Sequence, residues 1–231
     1  MSRITRLPVA VLAVLAVVSL AGCGEDSNSN PVAPAPASAR VMAVHASPDA
    51  PAVDLLVDGV VAGTGLAFPN NTSYLSVPAG TRNVKVNVAG TTTTVIDANL
   101  PVSAGGNYSV FANGPVSSIG ALVVADDLTP PAAGKAHVRF VHLSPDAPAV
   151  DVAVTGGPVL FADRAFQQYT AFTPVDAGTY NLEVRPAGTG TVALAIPGVT
   201  LQAGKIYTVF AKGFLGGSSA QALGAQIIVN N

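Results

Sequence analysis

The residues whose types could do chemistry are concentrated in two short and nearly identical windows. Residues 44–54 read VHASPDAPAVD and residues 141–151 read VHLSPDAPAVD, with ten of eleven positions identical at an offset of 97. Histidine, serine and aspartate occur together in each window, and these side chains serve as acids, bases, nucleophiles or ligands in many proteins. The candidates for a ligand or partner loop are His45, Ser47, Asp49 and Asp54 in the first window, and His142, Ser144, Asp146 and Asp151 in the second.

Neither catalysis nor metal binding is well matched by this spacing. His45, Ser47 and Asp49 are the three residue types of a hydrolase triad, but they are crowded around a rigid proline. A triad needs the aspartate to orient a ring that also reaches the serine. A calcium site takes about six to eight oxygen ligands, and each window offers only two carboxylates. We therefore predict a protein that is not an enzyme, with no catalytic residue, no bound metal and no cofactor.

A structural interpretation accounts for much of the motif. Residues 47–50 place serine and proline at the first two positions of a type I turn, and Pro51 favours an extended Ala50. Both histidines alternate with apolar residues, so we expect each at the buried end of a strand, bonded to the turn or to an aspartate. The window is much better preserved between copies than its surroundings. A structural turn and a ligand or partner site therefore both remain open.

The beginning of the chain has the pattern of an export signal. Arg3 and Arg6 precede an apolar run over residues 7–20, which is typical of a secretory signal peptide. Residues 20–23 read LAGC and resemble the bacterial lipobox, in which Cys23 would carry the lipid. An ordinary cleaved signal with a chance cysteine is the alternative. We predict a lipoprotein signal peptide over 1–22 and an extracytoplasmic, membrane-anchored protein, in the outer membrane if the host has one and otherwise at the cell surface.

A flexible tether and a weakly charged surface follow from the composition. Residues 23–39 are rich in Ser, Asn, Pro and Ala without apolar periodicity, as expected for a spacer. Only 10% of the residues are charged and the net charge is -2, so nucleic-acid binding has little electrostatic support. With one cysteine in 231 residues, no internal disulfide can form.

The repeat extends beyond the motif and predicts two domains, over 40–128 and 137–231, with a linker over 129–136. Within each copy apolar residues alternate with polar ones, which is typical of strands with one buried face. Asp58-Gly59 is a two-residue hairpin signal, with Gly156-Gly157 as its counterpart. The spacings VxxGxxY and LxxGxxY, ending at Tyr108 and Tyr207, are similar to the tyrosine corner of Ig-like domains. The predicted fold is all-β, with two tandem antiparallel Ig-like or prealbumin-like β-sandwiches.

The sequence also resembles a known family. The segments HASPDAPAVDLLVDG (45–59) and HLSPDAPAVDVAVTG (142–156), with the later YSVFANG and YTVFAKG, are similar to the bacterial domain-of-unknown-function family numbered 4397. The resemblance implies an extracytoplasmic β-sandwich, often found in lipoproteins or cell-wall proteins, with no established activity. The second copy departs from the first in having Thr155 where the first has Asp58, which weakens any role placed on Asp58.

Two functions remain after these exclusions. The first is a lipid-anchored cell-envelope protein that acts as a non-catalytic structural or interaction module. Its partners would be the membrane, through the lipid on Cys23, and a cell-wall polymer or envelope protein. The alternative is a small-ligand or cation-binding lipoprotein that uses the SPDAPAVD loops. The oligomeric state stays open.

Overall fold

The first half of the described chain folds as a sandwich of two four-stranded sheets. The structure is a computed structural model that describes residues 37–231. One sheet has the order β4-β1-β7-β8 and the other β3-β2-β5-β6. The strands are β1 (Ser38–Ala46), β2 (Val53–Val57), β3 (Val60–Leu66), β4 (Leu75–Pro78), β5 (Gly80–Val88), β6 (Thr94–Val102), β7 (Asn107–Asn113) and β8 (Gly120–Ala125).

The second half repeats this architecture strand for strand. Its sheets have the orders β12-β9-β15-β16 and β11-β10-β13-β14, which are those of the first sandwich shifted by eight strands. The all-β fold of two sandwiches is thus confirmed. The strands are β9 (Lys135–His142), β10 (Val150–Val154), β11 (Val159–Arg164), β12 (Thr173–Asp176), β13 (Gly178–Pro186), β14 (Leu194–Leu201), β15 (Ile206–Lys212) and β16 (Gly224–Val229).

Helix is almost absent from the described residues. Two short 3-10 turns, Val116–Ser118 and Ser219–Gln221, follow β7 and β15 at equivalent places. Within residues 37–231 no helix is long and apolar enough to cross a membrane.

The element bounds differ slightly from the predicted domain limits. Strand β1 begins at Ser38, within the predicted tether, and Ala39 is already part of the core of the first sandwich. Strand β9 begins at Lys135, within the predicted linker. The predicted signal peptide over 1–22, Cys23 and most of the tether lie outside the described residues.

One strand pair in each sandwich is parallel rather than antiparallel. Strand β1 runs parallel to β7, with Val44 opposite Phe111, and β9 runs parallel to β15. All other paired strands are antiparallel, as predicted. Period-two alternation reports which face of a strand is buried and says nothing of the direction of its neighbour. The sequence pattern therefore missed this pairing.

The predicted hairpin turn is confirmed in the first copy and altered in the second. Asp58 and Gly59 have φ values of 50° and 79°, as a two-residue turn of mirror-image type requires. In the second copy four residues separate β10 from β11, and only Gly156 has a positive φ, of 69°. The longer loop closes through a hydrogen bond from the Val154 amide to the Pro158 carbonyl at 3.0 Å.

Both predicted tyrosine corners are present. The hydroxyl of Tyr108 accepts a hydrogen bond from the Ser103 amide at 3.0 Å, and that of Tyr207 accepts one from the Gln202 amide at 3.0 Å. Each bond ties the start of β7 or β15 to the turn before it, so the strand that pairs with β1 or β9 enters its sheet at a defined position.

A third apolar cluster joins the two sandwiches. It is formed by the outer faces of the sheets that contain β1 and β9, with the rings of Phe111 and Phe210 edge to face at a centroid distance of 6.1 Å. Strands β1 and β9 are consequently buried on both faces. The residues are Met42, Val44, Ala46, Phe111 and Val124 from the first sandwich, and Val141, Leu143, Phe210 and Ile228 from the second.

A buried ion pair lies beside this apolar cluster. The guanidinium of Arg139 is 2.6 Å from the carboxylate of Asp126, and their side chains are 1% and 0% exposed. Arg139 also donates to Thr208 of its own sandwich at 2.8 Å and to Ser109 of the other at 3.0 Å. Burial beside the negative Asp126 raises the pKa of Tyr74, which donates to that carboxylate at 2.5 Å, to about 12. The network therefore spans both sandwiches.

Candidate functional site

Each SPDAPAVD window forms the loop that links the two sheets at one end of its sandwich. In the first copy the window runs from the end of β1 through residues 47–52 into β2, and in the second from the end of β9 into β10. The loop passes close to the turn after β7 or β15, since those strands pair with β1 and β9. The chemistry-bearing side chains are thus placed among backbone groups of neighbouring loops.

The two serines bind backbone rather than histidine. Ser47 donates its hydroxyl to the Gly114 carbonyl at 2.6 Å, and Ser144 donates to the Gly213 carbonyl at 2.6 Å. Both serines are fully buried. Each bond fixes the motif loop to the end of the strand beside it, and the hydroxyl is not oriented as a nucleophile.

The first aspartate of each motif holds the next loop. The carboxylate of Asp49 accepts a hydrogen bond from the Val116 amide at 2.8 Å, and that of Asp146 accepts one from the Leu215 amide at 2.8 Å. Each aspartate contacts a loop of its own sandwich. Both side chains are otherwise exposed to solvent.

The second aspartate of each motif uses both carboxylate oxygens. Asp54 accepts hydrogen bonds from the amides of Gly65 and Gly90 at 2.8 and 2.9 Å. Asp151 accepts bonds from the amides of Asp163 and Gly188 at 2.8 and 2.9 Å. These backbone donors lower the pKa of both carboxyl groups, because they stabilise the ionised form.

The two histidines lie at strand ends and hold the motif loop. Nε2 of His45 is 2.9 Å from the Pro51 carbonyl, and Nε2 of His142 is 3.1 Å from the Pro148 carbonyl. Since a carbonyl can only accept, Nε2 carries the proton and Nδ1 is left as an acceptor. Nδ1 has no hydrogen-bond partner in either ring, and both residues are fully buried.

All eight motif side chains are therefore engaged with backbone groups, and the same bonds recur in both copies. Six of the eight accept from or donate to loops outside the motif, so most substitutions would leave a buried or loop backbone group without its partner. This shared set of bonds explains why the window is nearly identical in copies whose strands have diverged. In residues 37–231 no three His, Cys, Asp or Glu residues come together as metal ligands would.

Sequence reasoning missed Arg139 and Asp126, which form the buried ion pair between the sandwiches. One signal was available. Arg139 interrupts an apolar strand at the position where the first copy has Met42, and Asp126 stands where the second copy has Asn230. Each copy thus carries one charged residue at a position where the other copy has a neutral one. Two such residues of opposite charge, one in each copy, indicate an ion pair between the copies.

Burial lowers the pKa of His45 and His142 below the ordinary value of 6.5. Below that pH the histidines of the unfolded chain bind protons, whereas the buried histidines of the folded chain stay neutral. We therefore expect the free energy of unfolding to decrease as the pH is lowered, until the pH reaches the lowered pKa of the folded histidines. Urea unfolding at about pH 7.5 and about pH 5.5 would measure this loss.

The matched variant carries His45→Gln and His142→Gln, because glutamine keeps an N–H donor for each proline carbonyl and does not titrate. His137 is present in both proteins, so its contribution cancels. An equal loss of stability in the variant and in the original chain would refute the assignment.

Comparisons with known proteins place the chain in a family. No curated protein matches it. Among solved structures it is similar to the crystal structure of CBMbc (family CBM26) from Eubacterium rectale Amy13K in complex with maltoheptaose, at 9% identity and a TM-score of 0.25, over 83% of this chain and 96% of that one. The family described as "Domain of unknown function (DUF4397)" matches residues 39–153 and 150–231. Since these two matches together span most of the sequence, the chain belongs to the DUF4397 family and carries its domain twice.

Proposed function

We propose that this protein is a lipid-anchored, non-catalytic module of the cell envelope that acts through its surface. The observation that carries the proposal is the use of the SPDAPAVD side chains. Each of them holds backbone, in both copies, where a catalytic or ligand-binding motif would present free groups. The motif residues that the two copies share therefore preserve the shape of these loops.

The arrangement of the sandwiches supports a structural or interaction role. The apolar cluster and the buried ion pair between them favour one rigid body rather than two independent domains. A rigid body on a spacer can present the same surface at some distance from a membrane. A weakly charged surface suits contact with a neutral cell-wall polymer or an envelope protein.

Exposed valines identify one part of that surface. Val60 and Val61 in β3, an edge strand of the first sandwich, are 71% and 57% exposed, and the equivalent edge strand β11 carries Val159 at 45%. Apolar residues on an exposed sheet edge are typical of contact surfaces. We infer that these exposed valines are part of the surface that meets the partner.

The anchor is tested by metabolic labelling with an alkyne fatty acid in the native host. We expect the full chain to take up the label and to sediment with membranes, because Cys23 is the lipid acceptor in the lipobox-like LAGC. Cys23→Ser should lose the label completely, and Ser27→Ala, which changes a serine four residues further on, should keep it. Label on the Cys23→Ser chain, or none on the original chain, would overturn the anchor.

A further inference from the structure

The edge strands of the four sheets differ in how well they are protected against pairing with another strand. Proteins protect sheet edges with prolines, charged residues, bulges or very short strands. Each sheet has two edge strands, and six of the eight carry such a feature. Prolines occur in β4, β6, β12 and β14, Asp163 and Arg164 occur in β11, and two bulges interrupt β3. The equivalent strands β8 and β16 have no proline, charge or bulge.

A charged side chain from the other sandwich protects β8 but not β16. The backbone of Ala125 in β8 points away from β7, because the next amide, that of Asp126, binds the Asn107 carbonyl at 2.8 Å and alternate residues face opposite sides. The guanidinium of Arg139 donates to this outward Ala125 carbonyl at 3.4 Å. The first copy has Met42 at the position of Arg139, so β16 receives no equivalent charge.

The free side of β16 presents the backbone groups of three residues. The Asn230 amide binds the Ile206 carbonyl at 2.8 Å, so the alternate residues before Asn230 also face β15. The residues between them point their N–H and C=O groups away from the sheet, and within residues 37–231 these groups make no hydrogen bond. They are Ala225, Ile227 and Val229.

The side chains along this edge are apolar. Val229 is 52% exposed, and Ile227 is half-buried against the core of the second sandwich. Lys212 lies opposite Gly224 at the start of β16, but its ammonium lies over the ring of Phe68, 5.3 Å from the centroid. The strand itself therefore carries no charge that would repel a second, identical strand.

A strand of this kind is complementary to itself. About a two-fold axis at Ile227, two antiparallel copies of β16 place Ile227 opposite its equivalent and Ala225 opposite Val229. Every outward N–H then meets a C=O, with two hydrogen bonds in each of three residue pairs. Apolar side chains lie opposite apolar side chains in all three pairs. Because this contact occupies both free edges at once, association stops at the dimer.

We propose that two copies of this chain associate by antiparallel pairing of their β16 strands, so that two four-stranded sheets become one sheet of eight strands. This surface is distinct from the exposed valines of β3 and does not depend on the lipid anchor. The occupant is a second copy, because the outward residues of β16 match themselves in both hydrogen bonding and side-chain character.

The test uses the chain from residue 23 on, with Cys23→Ser, so that no lipid holds the molecules together. Sedimentation equilibrium from about 1 µM to about 1 mM should show a monomer that converts to a dimer as concentration rises. Amide hydrogen exchange followed by NMR should slow with concentration at Ala225, Ile227 and Val229, whose N–H groups face solvent in the single chain. The equivalent amides of β8, at Ala121, Val123 and Ala125, should exchange at an unchanged rate.

A matched pair of proline variants tests which edge is used. Ile227→Pro removes an amide that binds nothing within residues 37–231, and it should weaken the dimer at least about tenfold because two intermolecular hydrogen bonds are lost. Val123→Pro removes the equivalent amide of β8 and should leave the dimer unchanged. If Ile227→Pro does not fold, Val229→Pro removes an outward amide at a more exposed residue.

Three results would overturn the proposal. The first is a chain that stays monomeric at every concentration, including one whose β16 pairs only with an extended segment of another protein. The second is a dimer that forms without slower exchange at Ala225, Ile227 and Val229. The third is a dimer that is weakened by Val123→Pro but not by a folded proline variant of β16.

Discussion

Replacing Arg139 by alanine is expected to lower the free energy of unfolding by about 3 to 5 kcal/mol, because it leaves the buried carboxylate of Asp126 without its cation. Both side chains are inaccessible to water, and without the guanidinium Asp126 keeps only its hydrogen bonds from Tyr74 and Ser109. The loss also removes the hydrogen bonds of Arg139 to Thr208 and Ser109. Urea unfolding of the chain at neutral pH measures the effect.

The control variant comes from the repeat itself. Arg139→Met with Asp126→Asn gives each position the residue that the other copy has there, Met42 and Asn230. Removing both charges together avoids an unpaired buried ion, so we expect this double variant to be more stable than Arg139→Ala. Single variants complete the cycle and yield the coupling energy. A loss below about 1 kcal/mol for Arg139→Ala would show that the pair does not hold the sandwiches together.

Phe210→Ala should cost about 3 to 5 kcal/mol and should also loosen the two sandwiches from each other. Phe210 is fully buried and packs edge to face on Phe111 of the other sandwich. Because the cluster between the sheets links both cores, the unaltered chain is expected to unfold in one transition. In the variant the link is weakened, so thermal unfolding followed by calorimetry should broaden or separate into two transitions.

Tyr169→Ala is the matched aromatic control for this prediction. Tyr169 lies in the second sandwich and is 44% exposed, so its removal should change stability by no more than about 0.5 kcal/mol. Two well-separated transitions in the unaltered chain would contradict the single rigid body. A loss from Phe210→Ala no larger than that from Tyr169→Ala would contradict the packing at the interface.

Most of the local structure could be predicted from the sequence. Alternating apolar residues indicated the strands, Asp58-Gly59 indicated a tight hairpin, and the spacing before Tyr108 indicated the tyrosine corner. Each of these features depends on residues close together in the chain, whose preferred backbone angles and faces are properties of the residues themselves. The second hairpin differs from the prediction because two additional loop residues change the way in which the loop closes.

The candidate motif was found from its duplication, but its role depended on distant partners. Ser47 bonds a carbonyl 67 positions away, and Asp54 bonds amides 11 and 36 positions away. No spacing rule connects these positions, because loop ends are brought together by the pairing of strands remote in the chain. The sequence therefore identified the residues as candidates, while their hydrogen bonds to backbone appeared only in the folded chain.

The sequence by itself determined that the chain contains two β-sandwiches, where their turns lie and which residues the copies share. Only the tertiary structure decided that β1 and β9 are buried on both faces and that Arg139 meets Asp126. The physical reason is that alternation records one buried face per strand, whereas packing between sheets depends on which faces meet. The role of a residue such as Arg139 depends on side chains across an interface, and these are remote in sequence.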